Sequence, residues 1–203
     1  MKRPITRPEM YMHVFITDQQ RRPDWREIIP RMKRHEIVLF RDYDAPNREA
    51  LATETARVCR KSGVNMQIAG DWRLAWQLNV GLHLPSHLAK RGRLFPIRPN
   101  QMLSTAAHNF SDIIRAERLN IPNVLISPIF ATRSHIGKRG LGVTKYHNLA
   151  RAALELGLNP IALGGLNDAS AKRLSIESGQ VPSYATIDGF QPRTSLYFSQ
   201  GAA

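Results

Sequence analysis

The interval from 127 to 142 gathers the densest set of groups that could do chemistry. It reads Ser127-Pro128-Ile129-Phe130-Ala131-Thr132-Arg133-Ser134-His135-Ile136-Gly137-Lys138-Arg139-Gly140-Leu141-Gly142. The hydroxyls of Thr132 and Ser134 and the exposed N–H groups of a glycine-bearing loop can donate to an anion, while Arg133, Lys138, Arg139 and a charged His135 supply field. A basic surface loop without a ligand would have the same composition. Gly164-Gly165 precedes Leu166-Asn167 and a helical stretch, which suits a phosphate approaching the main chain at a helix start, but it also suits an ordinary strand-to-helix turn. His108 follows an apolar run, where an imidazole can act as acid or base or merely as a hydrogen-bonded structural group. His83 and His87 are four apart with Pro85 between them, so they need not share the helical face that a metal pair requires. Asp18, Asp42, Asp44, Asp71 and Asp188 follow or end apolar runs and could hold Mg2+, although spacing sets no pair of them apart. Cys59 is the lone cysteine, which excludes an internal disulfide framework and a Cys-rich zinc site. Its neighbours Ala56 and Val58, with Arg57 and Arg60, place it on the inner face of a helix.

The elements that must position these groups alternate along the chain. Strand-like runs fall at His13–Asp18, Glu36–Arg41, Asn65–Gly70, Gly81–Leu84, Gln101–Ala107, Asn123–Ser127, Pro160–Gly165 and Ser183–Asp188. Helical spacing occupies Asp24–Lys33, Arg48–Ser62, Trp72–Leu78, His87–Arg91, Ser111–Leu119, Val143–Leu156 and Asn167–Ser178. Asp24, Ser111 and Asn167 are candidate N-caps, and Gly63 and Gly157 follow helix ends where a left-handed residue is cheap. Pro30 interrupts the first helical stretch and shortens it. Repeated strand–helix units imply parallel strands with right-handed crossovers, and eight of them in about 190 residues is the arithmetic of a closed (β/α)8 barrel of minimal size. An open doubly wound sheet is the alternative. The expected division is a basic extension at 1–12, one barrel at 13–190 and a tail at 191–203, with the eighth helix short or absent. In such a barrel function sits on the loops after the strands, with phosphate favoured near strands 7 and 8.

Composition limits the function classes. The 203 residues carry 29 Lys+Arg against 16 Asp+Glu, a net charge of +13, with 42% apolar and 22% charged residues. Those proportions exclude a disordered or collagen-like chain. No apolar run approaches the roughly 18 residues of a membrane span, and Met1-Lys2-Arg3-Pro4 leads into polar residues, so a cytoplasmic protein with no membrane partner is expected. The positive charge favours anionic ligands, whether nucleic acid or phosphorylated metabolites. It is spread along the chain, and aromatic content is 7% with no zinc-finger or RNP-type pattern, so nucleic acid is the weaker candidate.

"SPIFATRSH" at 127–135, "GLG" at 140–142, "IALGGLN" at 161–167, "GLHLPS" at 81–86 and "AAH" at 106–108 resemble, in order and spacing, the landmarks of the thiamine phosphate synthase and TenI family. The resemblance runs from about Val14 to Phe190 and implies a (β/α)8 barrel. Members that make thiamine phosphate join a pyrimidine pyrophosphate to a thiazole phosphate with Mg2+, and TenI-type members tautomerise a thiazole phosphate without metal. Carried over, the thiazole-phosphate side is kept: Thr132 and Ser134 match the two hydroxyl positions, and Gly164 and Gly165 the glycines facing phosphate. The pyrophosphate side is not. The Gln-x-Arg-x-Lys after strand 2 reads Leu39-Phe40-Arg41-Asp42-Tyr43, leaving Arg41 alone. The Asn-Asp pair reads Ala69-Gly70, the Gly-Gln-x-Asp reads Pro85-Ser86-His87-Leu88, Ala106 replaces a serine and His135 replaces a lysine. Both Mg2+ carboxylates are therefore substituted, and with them the charge compensation for a departing pyrophosphate. The TenI catalytic histidine falls on Pro128, so His108 or His135 would have to serve. Catalytic candidates are thus His108, His135 and Arg41. Three readings remain open: an enzyme of thiamine biosynthesis, transferase or tautomerase; a non-catalytic binder of a phosphorylated ligand; and a basic nucleic-acid-binding protein.

Overall fold

A computed structural model describes residues 12–92, 96–132, 140–175 and 182–191. Eight parallel strands close in sequence order: β1 (His13–Ile16), β2 (Ile37–Phe40), β3 (Asn65–Ala69), β4 (Gly81–Leu84), β5 (Leu103–Ala107), β6 (Asn123–Ile126), β7 (Asn159–Leu163) and β8 (Tyr184–Thr186), with β8 pairing back to β1. The closed barrel, rather than the open sheet, is what the chain forms. Closure leaves no strand edge unpaired.

Seven α-helices lie between the strands among the described residues: α1 (Trp25–Ile28), α2 (Arg48–Ser62), α3 (Trp72–Gln77), α4 (Ser86–Ala89), α5 (Phe110–Arg118), α6 (Val143–Glu155) and α7 (Asp168–Lys172). Pro30 has the expected effect: α1 passes into a 3-10 turn over Ile29–Arg31. Gly63 and Gly157 take left-handed φ of +69° and +73° behind α2 and α6. Three expectations fail. Asp24 stands at the N-cap position of α1, but its carboxylate pairs with Arg22 and accepts no N–H of the helix. The cap of α5 is Asn109, whose side chain accepts the Asp112 N–H, and Ser111 lies inside the helix. The last helix is five residues rather than twelve, with 176–178 outside the described residues. The extension 1–11 and tail 192–203 also lie outside them.

Strand alternation sorts the side chains into two layers. Phe15, Val38, Phe40, Met66, Ile68, Leu82 and Leu84 face outward against α1–α3, while Val124, Ile126 and Ala162 face outward against α5 and α6. Val14, Ile16, Ile37, Leu39, Leu125, Ile161 and Ala185 fill the barrel interior. The β3–β5 side of that interior is polar instead, with Gln67, His83 and Ser104 all buried. Cys59 is buried under α2, as its flanks predicted, and burial pushes its thiol up to about 12.

Candidate functional site

A cavity of about 780 Å³ opens at the C-terminal ends of the strands. Its floor consists of interior side chains from around the barrel, including Ile16, Leu39, Leu125, Leu163 and Ala185, with His83 and Ala106 on the β4–β5 side. Arg41, His108, Thr132, Gly164 and Gly165 all line it, from the ends of β2, β5, β6 and β7. Ser134 and His135 lie outside the described residues.

The loops after β6 and β7 are joined through the glycine pair. Ile129 and Phe130 donate their N–H groups to the carbonyls of Leu163 (2.9 Å) and Gly164 (3.1 Å). The far end of the β6 loop returns to its start, with Leu141 and Gly142 donating to Pro128 (2.8 Å) and Ile129 (3.0 Å). A Cβ on Gly165 would stand 2.9 Å from the Cβ of Phe130 and 3.0 Å from the carbonyl of Ala131. The side-chain directions of both glycines are therefore filled by protein, so close loop packing is a reason for glycine that the sequence reading did not contain. Their N–H groups donate to no described backbone carbonyl. Beside them the Thr132 hydroxyl is buried without a hydrogen-bond partner among the described residues. The Thr132 hydroxyl and the N–H of the buried Gly164 are costly unless something accepts from them, whereas Gly165 is exposed and its N–H is open to solvent. The helix start does not add to this set as expected: Asn167 accepts from Ser170 N–H at 2.8 Å and its own N–H donates to Ser170 Oγ at 2.9 Å, a closed capping box.

His108 has a fixed tautomer. Its Nδ1 lies 2.7 Å from the Ser127 carbonyl oxygen, which can only accept, so Nδ1 carries the proton and Nε2 keeps the lone pair. Its backbone N–H donates to Asp112 at 3.0 Å, holding the β5–α5 turn. Arg41 is in no ion pair with a described residue, and Lys90 adds a second cation to the rim.

A family model described as thiamine monophosphate synthase matches residues 13–183. The chain belongs to the thiamine monophosphate synthase/TenI family. Among curated proteins it is 27% identical over 135 residues to thiamine-phosphate synthase of Geobacillus kaustophilus, covering 66% of this chain and 60% of that protein. It is 27% identical over 149 residues to the enzyme of the same name from Chloroflexus aurantiacus, covering 66% and 63%. The match thus spans less than two thirds of either relative. A thiamine phosphate pyrophosphorylase structure from Pyrococcus furiosus superposes with a TM-score of 0.67 at 16% identity, over 88% of this chain and 86% of that one, a likeness of fold.

Thiamine-phosphate synthesis in this family implies Mg2+, and the carboxylates near the substituted positions do not fit it. Asp42 accepts from the Thr17 hydroxyl and from Gln19 N–H at 2.7 Å. Asp71 caps α3 by accepting from Leu74 N–H at 3.0 Å and pairs with Arg48 at 3.3 Å. Asp188 pairs with Arg21 across the mouth. Among the described residues no three His, Cys, Asp or Glu side chains converge as a metal cage.

His83 is the site residue that the spacing argument undervalued. The search for a pair with His87 looked along a helix, whereas His83 stands in β4 and points into the barrel. Strict alternation in Gly81-Leu82-His83-Leu84, with both leucines facing the outer helices, is the signal that placed it there.

Proposed function

We propose that this family member binds a thiazole phosphate at the C-terminal face of its barrel, the phosphate resting on the β6 and β7 loops. The observation that carries this reading is the Thr132 hydroxyl, buried with no hydrogen-bond partner among the described residues, beside the N–H groups of Gly164 and Gly165, which donate to no described backbone carbonyl. A phosphate oxygen accepts from such donors, and the Arg41 and Lys90 cations add attraction. His108 faces the same cavity, and with Nδ1–H donating to the Ser127 carbonyl its Nε2 is the basic nitrogen of the neutral ring. In a tautomerisation it takes a proton from one ring position at Nε2 and returns it to another, while Nδ1–H···O=C from Ser127 supports the imidazolium between the two steps. Transfer onto a pyrimidine with loss of pyrophosphate is the less supported activity, because the residues that would compensate that charge are substituted. The cytoplasm is the proposed compartment; no helix among the described residues is long and apolar enough to cross a membrane.

Calorimetric titration of the full chain with thiazole phosphate tests the reading, followed by the pyrimidine pyrophosphate with Mg2+. Micromolar binding of the first alone supports a tautomerase or sensor, and His108→Ala then separates them by removing turnover while retaining binding. Binding of both with product restores the synthase. Binding of neither overturns the assignment, and steeply salt-dependent RNA or DNA binding would then favour the reading that rests on the +13 charge.

A further inference from the structure

The charge that is scattered along the chain is sorted by the fold. Every aspartate, from Asp18 to Asp188, stands after a strand end or in the first turn of the helix that follows, at the mouth end of the barrel. Cations collect at the other end, where helices finish and strands begin. Arg31, Lys33 and Arg34 run from the 3-10 turn behind α1 towards β2, and Arg57, Arg60 and Lys61 occupy the last turns of α2; all six are exposed. The two stretches form one surface. The 3-10 turn packs on α2, and a Cβ on Gly63, directly behind α2, would stand 3.5 Å from Arg34 Nε. Arg60 extends the band to a third element by donating to the Leu78 carbonyl, at the end of α3, at 3.3 Å. β1 also begins at this end, and the residues that precede Met12 in the sequence carry Lys2, Arg3 and Arg7 against Glu9 alone.

These cations are not spent. None of the six is in an ion pair among the described residues. Of the carboxylates on the same elements, Glu54 is gripped by Arg26 at 2.7 and 2.8 Å, and Glu36 is buried against His13 and the Lys33 N–H. Only Glu27 is left exposed near the band without a described ion pair. A helix C-terminus favours cations in its last turn, which accounts for Arg60 and Lys61 but not for the three that face them from the neighbouring loop. Like charges gathered in this way repel one another, and a polyanion relieves that repulsion.

We propose that this end of the barrel is a nucleic-acid-binding face that holds a double helix by its phosphates without reading its sequence. Four of the six cations are arginines, whose planar forks match phosphate oxygens. The exposed large apolar side chains lie elsewhere: Tyr43 at the mouth, Phe110 and Ile114 on α5, Leu154 and Leu156 at the end of α6. The band therefore offers nothing on which the bases of a single strand would stack and nothing to insert into a bilayer, while its charge suits the regular phosphates of a duplex. It lies at the opposite end of the barrel from the cavity, so the inference goes beyond the proposed function and does not depend on it.

Fluorescence anisotropy of the full chain with labelled DNA and RNA duplexes of about two helical turns tests it. One or both should bind, with affinity falling about a hundredfold between roughly 50 and 200 mM salt, as about four phosphate contacts require. The double variant Arg34→Glu/Lys61→Glu should weaken binding by about tenfold or more and flatten the salt slope by about two. Arg118→Glu/Arg151→Glu makes the same change in net charge at exposed positions of α5 and α6, and it should alter affinity by less than about threefold. All four side chains are exposed and in no described ion pair, so both variants should melt with the wild type. Equal weakening by the two double variants would assign the binding to the field of the whole molecule and overturn the face. Absence of duplex binding at the lowest salt, a clear preference for the single strand, or binding to phosphatidylserine vesicles without binding to either duplex would overturn it as well.

Discussion

Gly164 lies against the backbone of Pro128: a Cβ at Gly164 would stand 2.9 Å from Pro128 Cα and 3.0 Å from Ile129 N, while the residue itself sits at φ +111°. Contact and conformation make the same demand. Gly164→Ala should therefore destabilise the barrel by about 2 kcal/mol or more, combining a strained backbone with a backbone clash. In thermal unfolding that is a drop of about 4–8 °C for a chain of this size. A midpoint unchanged within a degree would mean the two loops separate at no cost.

The carboxylates nearest the substituted metal positions are already committed, Asp42 to Thr17 and Gln19, and Asp71 to Arg48 and the start of α3. Millimolar MgCl2 should accordingly leave the unfolding midpoint where an NaCl solution of equal ionic strength leaves it. A Mg2+-specific rise of several degrees would show that these pairs open to take the ion.

Glu36 closes the opposite end of the barrel. Burial raises its carboxyl, but the His13 imidazole at 3.7 Å and the Lys33 N–H at 2.7 Å outweigh burial, and the net shift is downward. A carboxyl lowered on folding contributes stability that is present above its ordinary range, near pH 4.3, and lost as pH falls through the lowered value. Glu36→Gln should cost about 1–2 kcal/mol at pH 7, and the gap to wild type should narrow below about pH 4. Urea unfolding at several pH values measures it, and a gap that widens in acid would contradict the sign.

With its thiol pushed up to about 12, Cys59 is almost wholly protonated at pH 8. Alkylation in the native protein should run roughly a thousandfold slower than in denaturant, since the thiolate is the reacting form. Similar native and denatured rates would mean that α2 opens readily.

Much of the fold was legible in the chain because a barrel repeats one local unit. Gly81–Leu84 and Arg48–Ser62 coincide with β4 and α2 to the residue, since a short apolar run between turns and a long amphipathic stretch ending in glycine each carry their own boundaries. The α5 cap was misplaced from Asn109 to Ser111 because both side chains can accept from an N–H, and only the extended backbone at Asn109 makes it the cap. The extent of α7 was overstated because helical spacing in Asn167–Ser178 says nothing of where packing against β7 and β8 ends.

The site divides along a similar line. Thr132, Gly164, Gly165, Arg41 and His108 were nameable from residue type and from their places after strands, and the fold brings all five to one cavity. Glycine's second duty, admitting the neighbouring loop, was invisible because Gly164 and Pro128 are distant in sequence.

What the amino-acid sequence determined by itself is the periodicity that selects strand or helix, the number of repeats that close a barrel, and the residue types offered at each strand end. Only the tertiary structure decided which donors are left over and which acceptors are already spent. Asp42 and Asp71 look like metal ligands until their partners are seen, and His83 looks like an isolated histidine until Ser104 and Gln67 orient it. The reason is physical: a side chain's chemistry depends on its hydrogen-bond partners and its solvation, and these are set by residues 21 and 37 positions away along the chain.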